Sequence, residues 1–192
     1  MDSSPGDSTE TMPEEVAVQD IVEEVAVLET DDGIIMADVV VSEIDIDGDG
    51  TADGMAVTST AVREIDVDGD GIPDIVETTT IVETVVDVDG DGVPDVGTRV
   101  VTEEVVMDLD GDGTPDTIEV TETTTVAYDT TGDGLPDVSE TVVVEASGID
   151  LDGDGVLDHV EAVVADVVAV DLDGDGVPDE SVIAVAELKT EE

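Results

Sequence analysis

Stretches of β-branched residues alternate along the chain with short runs of aspartate and glycine. IVETTTIVETVV, VGTRVVTEEVVM and TIEVTETTTVAY consist largely of Val, Ile and Thr, which suit an extended, pleated backbone. Proline is absent from these twelve-residue spacers, and glycine falls only near their ends, at Gly54, Gly97 and Gly148. Each spacer therefore predicts one unbroken strand, about 40 Å long at about 3.3 Å per residue.

The polarity pattern inside the spacers discriminates between two layouts. In a β-solenoid every coil turns the same repeat phase inward. In an antiparallel meander with an odd period, the phases facing one side swap from strand to strand. The less charged set is Val76, Thr78, Thr80, Val82, Thr84 and Val86 in one spacer. It is Val96, Thr98, Val100, Thr102, Glu104 and Val106 in the next, which is the opposite phase, and Ile118 to Tyr128 return to the first. Val138 to Gly148 swap again, whereas Val160 to Val170 show little contrast and Gly54 to Ile65 show it poorly. The swap predicts an all-β, up-and-down antiparallel meander of eight or nine long strands, with a β-solenoid of one turn per 21-residue coil as the alternative.

The spacers are joined by a nine-residue segment that recurs every 21 residues: DIDGDGTAD from Asp45, DVDGDGIPD from Asp66, DVDGDGVPD from Asp87, DLDGDGTPD from Asp108, DTTGDGLPD from Asp129, DLDGDGVLD from Asp150 and DLDGDGVPD from Asp171. The organisation follows: a polar tail over 1–13, read as disordered, an N-terminal strand pair over 14–44 joined at ETDDG by a plain tight turn, and seven repeats over 45–192. In a meander, the loops from Asp45, Asp87, Asp129 and Asp171 share one end of the sheet, and those from Asp66, Asp108 and Asp150 share the other.

Crowded carboxylates repel one another, and a hard divalent cation turns that repulsion into binding. Calcium takes 6–8 oxygens at about 2.3–2.6 Å, with side chains at loop positions 1, 3 and 5 and a backbone carbonyl at position 7. Positions 1, 3 and 5 are Asp45, Asp47 and Asp49; Asp66, Asp68 and Asp70; Asp87, Asp89 and Asp91; Asp108, Asp110 and Asp112; Asp129, Thr131 and Asp133; Asp150, Asp152 and Asp154; and Asp171, Asp173 and Asp175. Thr51, Ile72, Val93, Thr114, Leu135, Val156 and Val177 stand at position 7. Asp53, Asp74, Asp95, Asp116, Asp137, Asp158 and Asp179, at position 9, add a carboxylate or hold a water. Thr131, in place of an acid, makes the fifth loop the weakest. Glu77, Glu119, Glu140 and Glu161 fall at position 12 and are further candidate ligands. Position 8 is proline in five loops, which stiffens them. Apolar residues either side of the first aspartate, such as Val86 and Val88, are expected to pin each loop to the sheet. Up to seven Ca²⁺ per chain are predicted. Magnesium holds its waters too firmly for such loops, and zinc is disfavoured with no cysteine and one histidine.

Composition narrows the function classes. The 192 residues carry 55 acidic against 3 basic side chains, a formal charge of −52, so nucleic acid and anionic membrane surfaces are excluded as partners. No apolar run reaches about 18 residues, so no membrane insertion as a helix is expected; the missing aromatic girdles disfavour an outer-membrane barrel. No nucleophile–base pair stands apart from the repeat, so an enzyme is not expected.

The loop motif DxDGDGxPD resembles the calcium loops of thrombospondin type 3 repeats, of dockerins, and of the FG-GAP and VCBS repeats of integrin-like propellers. The VCBS-like match is the nearest, since there too the loop joins two strands. It covers the seven loops, with aspartates at positions 1, 3, 5 and 9 carried over except at Thr131; the 21-residue period departs from the multi-strand propeller blade. The resemblance implies an extracellular or cell-surface setting with adhesive or structural roles. The expected function is a calcium-dependent structural protein, secreted or surface-bound, which associates with copies of itself by edge-strand or sheet stacking into a fibre or layer. A low-affinity calcium reservoir or mineral-binding protein is the alternative.

Overall fold

The computed structural model describes residues 17–30 and 33–191. Nine strands follow one another: β1 (Ala17–Thr30), β2 (Gly33–Asp45), β3 (Gly54–Ile65), β4 (Ile75–Val86), β5 (Val96–Met107), β6 (Thr117–Tyr128), β7 (Val138–Ile149), β8 (His159–Val170) and β9 (Glu180–Glu191). They form one sheet in sequence order, and every neighbouring pair is antiparallel. The meander is the architecture and the solenoid is not. Among the described residues β1 and β9 do not pair, so the sheet is open. The tail read over 1–13 lies outside the described residues, as do the two residues between Thr30 and Gly33, which face each other at the end of the β1–β2 pair.

The register explains the swapped polarity. Val76 lies opposite Val106, Thr80 opposite Thr102 and Val86 opposite Val96. Val96 in turn faces Tyr128, and Val106 faces Ile118. From β2 to β9 opposed residues share parity, so even-numbered strand residues form one face and odd-numbered residues the other. Arg63, Arg99 and His159 all fall on the odd face. There Arg63 pairs with Glu77 across β3–β4 at 3.2 Å and Arg99 with Glu83 across β4–β5 at 3.0 Å. Both pairs are exposed, so each contributes at most about 1 kcal/mol.

Among the described residues no hydrophobic side chain is buried; the inner strands are largely half-exposed on both faces, and β9 is exposed. The accessible surface is 13018 Å², against about 8,600 Å² for a compact monomer of 19.7 kDa. A single layer has no second layer to bury its faces. What holds it is the backbone ladder, together with cross-strand side-chain pairs of roughly 0.2–1 kcal/mol each, such as the hydroxyl contacts Thr125–Thr141 at 3.1 Å and Thr60–Thr80 at 3.5 Å.

One residue works against this layer. Asp166 sits on the even face of β8 between Val142 and Ala184, and its Oδ1 is buried without a hydrogen-bond partner. An unsatisfied buried oxygen is destabilising, and valine fits a strand better. Asp166→Val is expected to raise stability by about 1 kcal/mol, read as a higher midpoint in urea with an unchanged slope.

Candidate metal centres

Each acidic loop grows out of the ladder. The N–H of the position-9 aspartate donates to the carbonyl just before position 1, as in Asp53 to Ile44 at 2.8 Å, Asp74 to Ile65 at 2.8 Å and Asp95 to Val86 at 2.8 Å. Inside that closure the chain turns back through two glycines per loop, with φ between 71 and 93°. Side chains other than glycine rarely adopt such angles, so positions 4 and 6 demand glycine.

The aspartates organise the turn through backbone amides. In the second loop Asp66 accepts from Gly69 N–H at 2.7 Å and, through its other oxygen, from Gly71 N–H at 2.9 Å. Asp68 accepts from Asp70 N–H at 3.0 Å and Asp70 from Ile72 N–H at 2.8 Å. Asp74 reaches back to the N–H groups of Val67 and Asp68. The position-1 pattern recurs at Asp45, Asp87, Asp108, Asp129, Asp150 and Asp171. The position-9 return recurs at Asp53, Asp95, Asp116, Asp137, Asp158 and Asp179.

This folding gathers carboxylate oxygens to within 4.8 Å of one another in Asp45–Asp47–Asp53, Asp66–Asp68–Asp70, Asp87–Asp89–Asp95, Asp108–Asp110–Asp116 and Asp150–Asp152–Asp158. The triads can hold a metal ion. Position 9 thus joins positions 1 and 3 in four of these, and position 5 does so in the second loop. In other loops position 5 leans toward its neighbour: a Cβ at Gly132 would stand 3.7 Å from Asp91 Oδ2, one at Gly153 3.6 Å from Asp112 Oδ2, and one at Gly174 3.5 Å from Asp133 Oδ2. The fifth loop replaces an acid with local donors: Thr131 Oγ1 donates to Asp129 at 3.3 Å and Thr130 Oγ1 to Asp137 at 2.6 Å.

The position-12 glutamates stand on strands, outside the five triads just named. Glu77 is engaged with Arg63, and Glu161 with His159 at 3.3 Å. Glu119 is on the odd face of β6 and Glu140 on the even face of β7. The expected apolar pinning is also corrected. Val67, Val88, Leu109 and Leu151, at position 2, are 65–77% exposed; their N–H groups, bonded to position 9, do the anchoring instead.

Sequence reasoning missed the coupling between loops. The position-1 N–H of one loop donates to the position-9 carbonyl of the preceding loop on the same end. The bonds are Asp87 to Asp53, Asp129 to Asp95 and Asp171 to Asp137 at 2.9 Å, and, at the other end, Asp108 to Asp74 at 2.9 Å and Asp150 to Asp116 at 3.0 Å. The assignment of alternate loops to opposite ends holds, and each row is tied into one unit. Asp129, Asp150 and Asp171 are buried, at 8%, 5% and 7% exposure, whereas Asp87 and Asp108, tied in the same way, are half-exposed.

Burial raises the carboxyl of Asp129, but N–H bonds from Gly134, Gly132 and Thr131 outweigh it and hold the group below its ordinary value of 3.8. Asp171 is lowered by the same balance. Asp150 is lowered chiefly by Gly155 N–H, and Asp137 by the Thr130 hydroxyl. Asp173 is raised, because Asp175 and Asp179 stand beside it. A lowered carboxyl stabilises the loop above its unfolded pKa, and that contribution disappears as pH falls through the folded value. In metal-free protein that keeps the loops folded, NMR titration is expected to place Asp129 below 3.8 and Asp173 above it. Amide exchange at Gly132 and Gly134 should quicken as Asp129 protonates.

Comparison of the chain with family models, with curated proteins and with solved structures finds no match.

Proposed function

We propose that the chain is a calcium-dependent structural protein of the cell exterior, and that its loops take the ions that hold the sheet together. The observation that carries this reading is the gathering of three aspartate oxygens in loop after loop, on a sheet that buries no hydrophobic side chain among its described residues. All the donors are hard oxygens, the class calcium prefers, with neither thiolate nor imidazole in the triads. Seven Ca²⁺ would add 14 positive charges to −52, leaving −38. Calcium loops of extracellular modules bind with Kd of about 10⁻⁴–10⁻³ M, a range that external calcium fills and cytosolic calcium does not. The likeness of the loops to thrombospondin type 3, FG-GAP and VCBS repeats supports the same setting. The reading assigns the chain no catalysis, because its acids recur with the repeat. The reading includes association with further copies, supported by a sheet that leaves both faces and both edges uncovered among the described residues.

A second reading rests on a different observation. Every first aspartate already accepts two backbone N–H bonds, so the loops have a means of keeping their shape without an ion. The chain would then act as a low-affinity calcium reservoir.

Titration of calcium into chelator-treated protein separates the two. Under the structural reading, β signal in circular dichroism grows in a two-state manner as ions are taken up; unchanged signal with uptake favours the reservoir, and no uptake at all removes both. Asp66→Ala is expected to lower the number of bound ions by one, and Thr131→Asp to tighten the fifth loop about tenfold through its added ligand charge, both read by calorimetry.

A further inference from the structure

The two outer strands of the sheet differ in kind. β1 carries a bulge between Asp20 and Val22, and its sequence AVQDIVEEVAVLET holds four acids and no base. Bulges and inserted charges are the devices that keep an edge from pairing. Its uncharged run is only the four residues Val25 to Leu28. β9, ESVIAVAELKTE, has no bulge, and its run Ser181 to Ala186 is six uncharged residues without proline or glycine. Val182, Ile183, Val185 and Leu188 are exposed at 66–71%. Among the described residues nothing pairs with the outer side of β9.

From this edge we infer that β9 joins β9 of a second copy, antiparallel, about a two-fold axis normal to the sheet. The inference deepens the self-association in the proposed function by naming the edge, the partner and the symmetry.

Strand parity and charge select this partner. Nine strands alternate in direction, so β1 and β9 run the same way. Head-to-tail addition of copies with continuous faces would force a parallel contact, whereas all eight pairs of this sheet are antiparallel and the parallel ladder is slightly weaker per residue. A contact between like edges is antiparallel and closes at two copies. β9 carries three acids and one lysine, and β1 carries four acids. Two β9 strands therefore bring −4 together, β9 with β1 brings −6, and two β1 strands bring −8.

The register follows from the same residues. Continuity of the faces requires even to meet even across the axis. Centring on Ala184 sets Val182 opposite Ala186, Ile183 opposite Val185, and Ser181 opposite Glu187. It also brings Lys189 into register with Asp179. Centring one residue earlier sets Asp179 against Glu187, and one residue later sets Asp179 against Glu191; both oppose two acids, which is destabilising.

Sedimentation equilibrium on the full chain in calcium is expected to show a species of twice 19.7 kDa. Ile183→Lys with Val185→Lys, which places like charges opposite each other, should weaken it at least about tenfold. Val25→Lys with Val27→Lys, on β1, should leave it unchanged. The chain lacks cysteine, so Ala184→Cys should give an oxidised dimer that Val27→Cys does not. A folded monomer at all concentrations would overturn the inference, as would dissociation by the β1 variant alone or growth beyond two copies. Circular dichroism in calcium and in chelator separates the two failures. Loss of calcium dependence removes the proposed function, whereas a folded monomer removes only the β9 contact.

Discussion

Four like charges within nine residues persist in this chain because the backbone is bent around them. Each loop aims amide N–H groups at its aspartates, and the two glycines at positive φ make that aim possible. These bonds favour the ionised carboxylate by more than burial penalises it at Asp129, Asp150 and Asp171, which remain acidic although they are the most buried polar groups described. The donors do not cancel the mutual repulsion, as the raised Asp173 shows. That residual field is what a divalent cation would meet.

The rest of the architecture depends on this device. Ordinary domains are held by a core between layers, and the described residues of this chain form one layer. Order comes instead from the hydrogen-bonded ladder, from β-branched and threonine pairs across it, and from the loop rows along its two ends. Because the position-9 carbonyl of one loop receives the position-1 amide of the next loop on its side, opening one turn disturbs its neighbours. A row of loops thus acts as a lateral strap on strands whose contacts, among the described residues, are almost all with their sequence neighbours.

Gly148 shows how closely the strap is fitted. The sixth loop has Leu157 where five loops have proline, and the leucine side chain folds over Gly148, where a Cβ would collide with it. An irregularity in the repeat is absorbed by a second irregularity nine residues earlier.

Strand length and antiparallel order were legible in the sequence, as were the faces of β4 to β7; β3 and β8, with little polarity contrast, showed their faces only through the sheet register. A period of 21 is odd, and the alternation of Val76 with Val96 and Ile118 already implied chain reversal at every loop. The aspartates at positions 1, 3 and 9 were legible too, since their spacing by itself brings them round one turn. The tertiary structure decided what depends on neighbours distant in sequence. It set the ties between loops, the lean of Asp91, Asp112 and Asp133 toward the next loop, the solvent-facing position of Val67 and Val88, and the lack of any second layer among the described residues. Local spacing determines how a loop closes on itself, because that geometry is contained in nine residues. Which groups meet between loops depends on sheet register and twist, which bring loops 42 residues apart side by side on one end.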